Sequence, residues 1–245
     1  MRKAIFLTAY NRIPYLQQTL ASWESVRGQE GWDFIASIEP GPMAQQVVEE
    51  FEEFASKTTF NTFDIRVNEN VEGVLHHPWL CFEGLFGMGR YDFVVRAEDD
   101  LVVSNDILEF FSWSAHTYRD DAEVATVHAY TATDGPINSV RRSEAFSPWL
   151  WGTWRDRWAG LIGPTWDHDY STFNGSPGFQ SGWDWNLNTR IFPEYNLRSI
   201  VPVVSRANNI GLHGVHGTPE NFERSDSFHF SFPMVQFTES QPEGR

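Results

Sequence analysis

Over its first hundred residues the chain alternates short apolar, strand-prone runs with amphipathic stretches of helical spacing. That rhythm commits it to a mostly parallel sheet with crossover helices. Residues 3–8 read as a buried strand. Residues 13–26 place Tyr15, Leu16, Leu20, Trp23 and Val26 at helical spacing, with Asn11 and Pro14 near the start. The alternation continues with a strand at 32–38, a helix at 42–56, a strand at 63–67, a helix over 74–87 and a strand at 91–97. This last strand runs without a spacer into Glu98-Asp99-Asp100. After 101–103, Ser104-Asn105-Asp106 offers N-cap and first-turn chemistry for a helix to about residue 118, and 124–130 is a further strand. The fold class expected is α/β, a central mostly parallel mixed sheet flanked by helices.

Beyond residue 130 the periodicity breaks down. Seven of the eleven tryptophans fall between Trp149 and Trp185, among Gly, Pro and Asp. Long irregular segments in compact domains tend to be functional loops, and indole faces suit the C–H faces of sugars. A length of 245 residues supports one substantial core. The net charge of -15 opposes polyanions, and the densest basic cluster, Arg141-Arg142, is too small to reverse that, so nucleic acid is disfavoured as a partner without being excluded. A lone Cys81 rules out an intramolecular disulfide. No apolar run is long enough for a signal-peptide core or a transmembrane segment, and the expectation is a soluble, cytoplasmic protein.

The acidic run carries the chemistry. Ligands of open α/β sheets bind outside the carboxyl ends of the strands, which is where three successive acids are delivered. Such a site suits a hard divalent ion, Mg2+ or Mn2+, that takes one or two carboxylates and leaves its other positions to phosphates and water. An acidic triplet can equally be a solvated turn before a helix. Its place directly after a strand, and the separate cap at Ser104, favour the ligand site.

Four segments, in order, resemble GT-A glycosyltransferases. Glu98-Asp99-Asp100-Leu101 with the following Asp106-Ile107-Leu108-Glu109-Phe110-Phe111 is similar to the metal-binding segment of inverting N-acetylglucosaminyltransferase I-like enzymes. Phe6-Leu7-Thr8-Ala9-Tyr10-Asn11-Arg12 resembles the first strand and turn of bacterial family 2-like members. Trp149-Leu150-Trp151-Gly152-Thr153-Trp154 and Asn208-Asn209-Ile210-Gly211 with His213 and His216 resemble two further stretches of a bacterial branch. The likeness spans residues 3 to about 222 and implies a single domain over 1–245. Its nucleotide-binding half would be 1–103, its acceptor and donor-sugar half 104–237, and its polar tail 238–245.

By this resemblance the protein is a metal-dependent inverting glycosyltransferase of the hexosyl or pentosyl class, using Mn2+ or Mg2+ and a nucleotide-sugar donor, with a UDP-sugar favoured. Asp100 would be the direct metal ligand, and Glu98 and Asp99 would orient ribose, water or the metal's outer shell. Thr8, Tyr10, Arg12 and Gly73 would line the nucleotide pocket, with Glu39 against the base and ribose. Gly152 and Thr153 would lie in a loop under the donor sugar, and His216 would reach the diphosphate or the metal, with His213 as its competitor. Trp149, Trp151 and Trp154 are either pocket walls or core. The catalytic base would be Asp184, in Gly182-Trp183-Asp184-Trp185, where flanking indoles would keep the carboxylate dry and raise its pKa. Its competing role is that of an N-cap for a helix over 185–191. Asp167 and Asp169, beside His168, are rival carboxylates that could hold a metal or form a surface turn, while His76 and His77 carry no assignment. The acceptor is a hydroxyl-bearing molecule of open class, a saccharide or even a modified nucleobase. A sugar nucleotidyltransferase and a non-catalytic carbohydrate-binding protein are the alternatives.

Overall fold

The computed structural model describes residues 1–87, 89–168, 182–212 and 225–240. Strands β1 (Lys3–Ala9), β2 (Asp33–Ile38), β3 (Thr62–Val67) and β4 (Phe93–Glu98) are joined through α1 (Ile13–Glu24), α2 (Ala44–Ser56) and α3 (Gly73–Phe86). There follow β5 (Leu101–Val103), α4 (Ile107–Thr117), β6 (Val124–His128), β7 (Ser139–Ser143) and β8 (Trp151–Trp154). Helix α5 (Arg155–Arg157) continues as a π-helical turn, Trp158–Ile162, and α6 (Trp183–Asn186) continues through Leu187–Ile191 and Phe192–Glu194. The last strands are β9 (Arg198–Pro202), β10 (Ala207–Asn209) and β11 (Thr238–Glu239).

Among the described residues, nine strands form one mixed sheet in the order β11-β7-β9-β6-β8-β4-β1-β2-β3, and β5 pairs with β10 in a small antiparallel ribbon. Strands β1, β2, β3 and β4 are mutually parallel; β1, β2 and β4 are covered on both faces, which is why they are nearly continuous apolar runs, whereas β3 is a partly exposed edge. Side chains alternate across it. Ile5, Leu7 and Ala9 join the core shared with α1, α2 and α4, while Ala4 and Phe6 face α3, the π-helical turn and α6. The chain moves from β1 outward to β2 and β3 on one side and to β4 on the other. The crevice for a ligand therefore opens at the carboxyl ends of β1 and β4, where Thr8 is paired with Glu98.

The tryptophan-rich stretch departs from the loop expected of it. Trp151-Gly152-Thr153-Trp154 is β8, antiparallel to both β4 and β6. Gly152 lies under the Phe93 ring, where an added Cβ would come within 2.7 Å of a ring carbon. Thr153 is fully buried and its hydroxyl donates to the Ala125 carbonyl at 2.8 Å. The pair is therefore a seam in the sheet rather than a loop under a sugar. Trp151 and Trp154 are fully buried on opposite faces and belong to the core, whereas Trp149 is half-buried, edge-on to Tyr130 at 4.6 Å.

The expected start of the helix after β5 also changes. Asp106, not Ser104, is the N-cap residue of α4, and no side chain caps it, because the Asp106 carboxylate is taken by Arg206 and by the Ser104 hydroxyl. At the start of the polar tail Thr238–Glu239 pairs with β7, and Glu239 receives Arg142 at 2.7 Å and the Tyr118 hydroxyl at 2.9 Å. With Asp121 also on Arg142, that member of the basic doublet is internally neutralised. No helix among the described residues is long and apolar enough to cross a membrane.

Candidate active site

The turn after β1 supplies the cation of the site. Arg12 is the N-cap residue of α1 and makes no side-chain cap; its carbonyl starts the helix by accepting the amides of Tyr15 and Leu16. The guanidinium is thereby free to reach the end of β4, where Nη1 donates to Asp100 Oδ2 at 2.7 Å and Nη2 to Asp99 Oδ1. Asp99 is buried and also receives the Tyr10 amide, while its carbonyl accepts the Thr19 hydroxyl at 3.0 Å. Burial pushes the Asp99 carboxyl up and Arg12 pulls it back.

Asp100 turns inward, with its side chain 14% exposed. Its carbonyl accepts the Ile210 amide at 2.9 Å, and Gly211, braced by Asn209 Oδ1 at 2.7 Å, presses on its carboxylate so closely that a Cβ there would stand 2.9 Å from Asp100 Cγ. Burial, then the like charge of Glu98, raises the Asp100 pKa to about 6 despite Arg12, and Asp99 adds to the push. Three carboxylates thus share two guanidiniums, and the residual negative charge sits on a partly dry oxygen.

The second guanidinium is Arg96. It lies two residues before Glu98 on the same face of β4, and its Nη2 donates to Glu98 Oε1 at 2.7 Å. Arg96 is buried, donates to the Pro148 carbonyl at 3.2 Å, and stands 5.0 Å over the Trp183 ring. Trp183 in turn stacks on Trp166 at 4.4 Å and on Trp151 at 5.9 Å. The next residue is Asp184. Its carboxyl is raised chiefly by burial, eased by the amide of Trp185, and it feels the charges of Arg96 and Glu98. The N-cap residue of α6 is Gly182, so Asp184 lies inside the first turn and does not cap it. Arg96 therefore ties the acidic run to the helix that carries Asp184.

Glu39 departs from its expected place against a base. Its Oε2 accepts the Glu72 amide and its Oε1 the Gly73 amide, both at 2.9 Å, and His77 Nδ1 lies 3.1 Å from Oε1. Helix α3 has no side-chain cap of its own, so Glu39 satisfies its amino end from across the sheet. Both carboxylate oxygens are thus engaged by the start of α3, and Glu39 is buried. Gly73 has a φ of 74°, a left-handed turn natural to glycine, and contributes through this backbone contact. His77 continues inward to the Ser37 hydroxyl at 2.7 Å, and burial lowers its pKa. Thr8 is near the acids, donating to the Ala97 carbonyl at 3.4 Å, and Tyr10 is exposed, its ring against Gly41.

His213, His216 and Asp169 lie outside the described residues. Among those described, no group of three or more His, Cys, Asp or Glu side chains is arranged to hold a metal. The donor set nonetheless fits a hard ion bound through one carboxylate, Asp100, with phosphate and water completing the shell. Burial first, and then the like charges of Glu98 and Asp99, lift its pKa, and such a cation would offset both. Arg96 and Gly211 were not singled out as site residues from sequence. A cation inside an apolar strand two residues before an acid is the signal for the first, and the Asn-Ile-Gly stretch holds the second.

The sequence matches no family profile and no curated protein. Solved structures do match. A mannosyltransferase from Pyrobaculum calidifontis, in complex with GDP-Man and Mn2+, superposes with a TM-score of 0.55 at 13% identity over 83% of this chain and 57% of its own. S. aureus TarS superposes with a TM-score of 0.57 at 11% identity over 84% of this chain and 36% of its own, and its 1–349 portion in complex with UDP-GlcNAc with a TM-score of 0.55 at 11% identity over 84% and 57%. The chain thus spans only about a third to three-fifths of the length of these proteins. At such identities the likeness establishes architecture: the chain carries the α/β fold of GT-A glycosyltransferases.

Proposed function

We propose that the protein is a metal-dependent inverting glycosyltransferase that moves a sugar from a nucleotide-diphosphate donor to an acceptor hydroxyl. One observation carries the reading: Asp100 is largely withdrawn from solvent at the switch point of the sheet, with Glu98 and Asp99 beside it and Arg12 as the cation they share. The proteins of similar fold that hold GDP-Man with Mn2+ and UDP-GlcNAc support it.

Asp100 would hold Mn2+ or Mg2+, which supplies charge neutralisation to a departing diphosphate. Arg12 orients Asp99 and Asp100 and lends positive charge beside the phosphates. Glu98 is oriented by Arg96, Thr8 and Tyr10 border the donor, and His216 would reach the diphosphate. Asp184 accepts the acceptor's hydroxyl proton while that oxygen bonds to the anomeric carbon and the bond from that carbon to the diphosphate oxygen breaks. A dry environment that raises its pKa keeps Asp184 a competent base. The single-domain division at residue 103 and a cytoplasmic location belong to the same proposal.

The test is a thermal-shift screen of UDP, GDP and their sugars with and without Mn2+, followed by product analysis with each donor that binds. The expected result is metal-dependent nucleotide binding and a glycoside plus nucleoside diphosphate as products. Asp100→Ala should abolish both while the fold persists. Metal-dependent turnover retained in Asp100→Ala would overturn the assignment. A nucleotide-linked product with pyrophosphate would replace it with nucleotidyl transfer.

A further inference from the structure

Trp166-Asp167-His168-Asp169-Tyr170 is a second concentration of ligating side chains, and glycosyl transfer as described makes no use of it. Its first residue is anchored on α3, where Trp166 Nε1 donates to the Leu75 carbonyl at 2.8 Å. Two residues on, His168 meets His76 of the same helix, Nδ1 to Nδ1, at 3.2 Å. Trp79 fixes both rings: it stacks on His76 at 5.4 Å with an 18° tilt and meets His168 edge-on at 5.1 Å. Trp79 is itself tied to the Gly163 carbonyl at 3.4 Å.

We propose that His76 and His168 form a transition-metal site that takes Zn2+, or a similar imidazole-seeking dication, through their two Nδ1 atoms. Two nitrogens bound to one tetrahedral ion at 2.0–2.1 Å stand about 3.3 Å apart, so the pair already has the spacing that ligation requires. A hydrogen bond between the rings uses one Nδ1–H and one Nδ1 lone pair. On ligation the donating ring shifts that proton to its Nε2, and the neutral pair releases none. For His76 this nitrogen faces Glu72, whose Oε2 lies 3.8 Å from Nε2, the side on which a carboxylate supports a metal-bound imidazole. His76 is about 40% exposed, which leaves an entry path and room for water to complete the shell. Imidazole ligands select borderline ions, in contrast to the all-oxygen surroundings of Asp100, so the two sites sort their cations by chemistry. Occupied, the His76–His168 site would tie residue 168 to α3.

The experiment titrates untagged full-length protein with Zn2+ alone by calorimetry, comparing wild type with His76→Ala, His168→Ala, the double variant, Asp100→Ala and the exposed control His116→Ala. The expected result is about one Zn2+ bound by wild type, Asp100→Ala and His116→Ala alike. Affinity should fall at least about tenfold in either single histidine variant, and little further in the double. Electron paramagnetic resonance of Cu2+-loaded wild type, which needs no variant to fold, should show two coordinating nitrogens. Unchanged affinity in the histidine variants, loss in Asp100→Ala instead, or fewer than two nitrogens on copper would each overturn the site.

Discussion

Two arginine–aspartate clusters lie at opposite ends of the short segment from β5 to α4, and they are built to opposite rules. Around Arg206 everything balances. Its Nε meets both oxygens of Asp106 at 3.1 and 3.0 Å, Nη1 meets the Val204 carbonyl, Nη2 the Ile137 carbonyl, and Phe232 closes over the guanidinium at 3.8 Å, with both charged side chains at 0% exposure. Around Arg12 nothing balances. One guanidinium, 32% exposed, serves two carboxylates, and a third acid pushes from behind. A buried pair whose every guanidinium nitrogen and carboxylate oxygen has a partner is a fastening, whereas a group of acids that outnumbers its cations is a receptacle for positive charge.

The largest expected effect is at the proposed base, on the helix that Arg96 ties to the receptacle. Asp184→Asn should lower kcat by roughly 10²- to 10⁴-fold with donor binding retained, as measured by steady-state kinetics alongside nucleotide titration. Equal loss in kcat and donor affinity would place Asp184 in binding instead. Next comes stability: Arg206→Ala strands the Asp106 carboxylate in the core and should cost about 3–5 kcal/mol in urea denaturation, while Asp100→Asn should leave stability unchanged or raise it. If both destabilise alike, the contrast between the clusters is void.

The acid range sharpens the same point. The folded Asp100 pKa of about 6 lies above its ordinary 3.8, so the folded protein binds the proton more tightly than the unfolded chain. The stabilisation tied to that proton is complete below about 3.8 and is lost as pH rises through about 6. Wild type should therefore trail Asp100→Asn at pH 7 by up to about 3 kcal/mol, keep roughly half of that deficit near pH 5 and close the gap only below about 3.8, read from paired denaturation curves. His128, whose burial lowers its pKa to about 4, tilts the opposite way in both proteins and cancels in the difference. The smallest effect expected is at Gly211. Adding a methyl beside Asp100 in Gly211→Ala should weaken Mn2+-dependent nucleotide binding by about tenfold, roughly 1.4 kcal/mol, with little change in melting temperature.

The parallel block was legible because its inner strands are covered on both faces, and unbroken apolar runs such as Ala4-Ile5-Phe6-Leu7 have few other uses. β8 was not, because four residues containing Gly152 and two tryptophans carry no period long enough to distinguish a strand from a loop. The acidic run was legible as a position, directly after a strand. How its charges are shared was not, since Arg12 and Asp100 lie 88 residues apart in sequence. Glu39 shows the limit most clearly: an acid at a strand end reads as a ligand contact, and only the fold reveals that the uncapped α3, 33 residues on, claims both of its oxygens.

The column of indoles Trp151, Trp183 and Trp166 has an optical corollary. Chromophores stacked this closely couple their transitions, and the central one belongs to the helix bearing Asp184. Circular dichroism in the indole bands thus offers a label-free gauge of whether that helix is seated, and donor or acceptor analogues that shift it would announce themselves in the spectrum before any product forms.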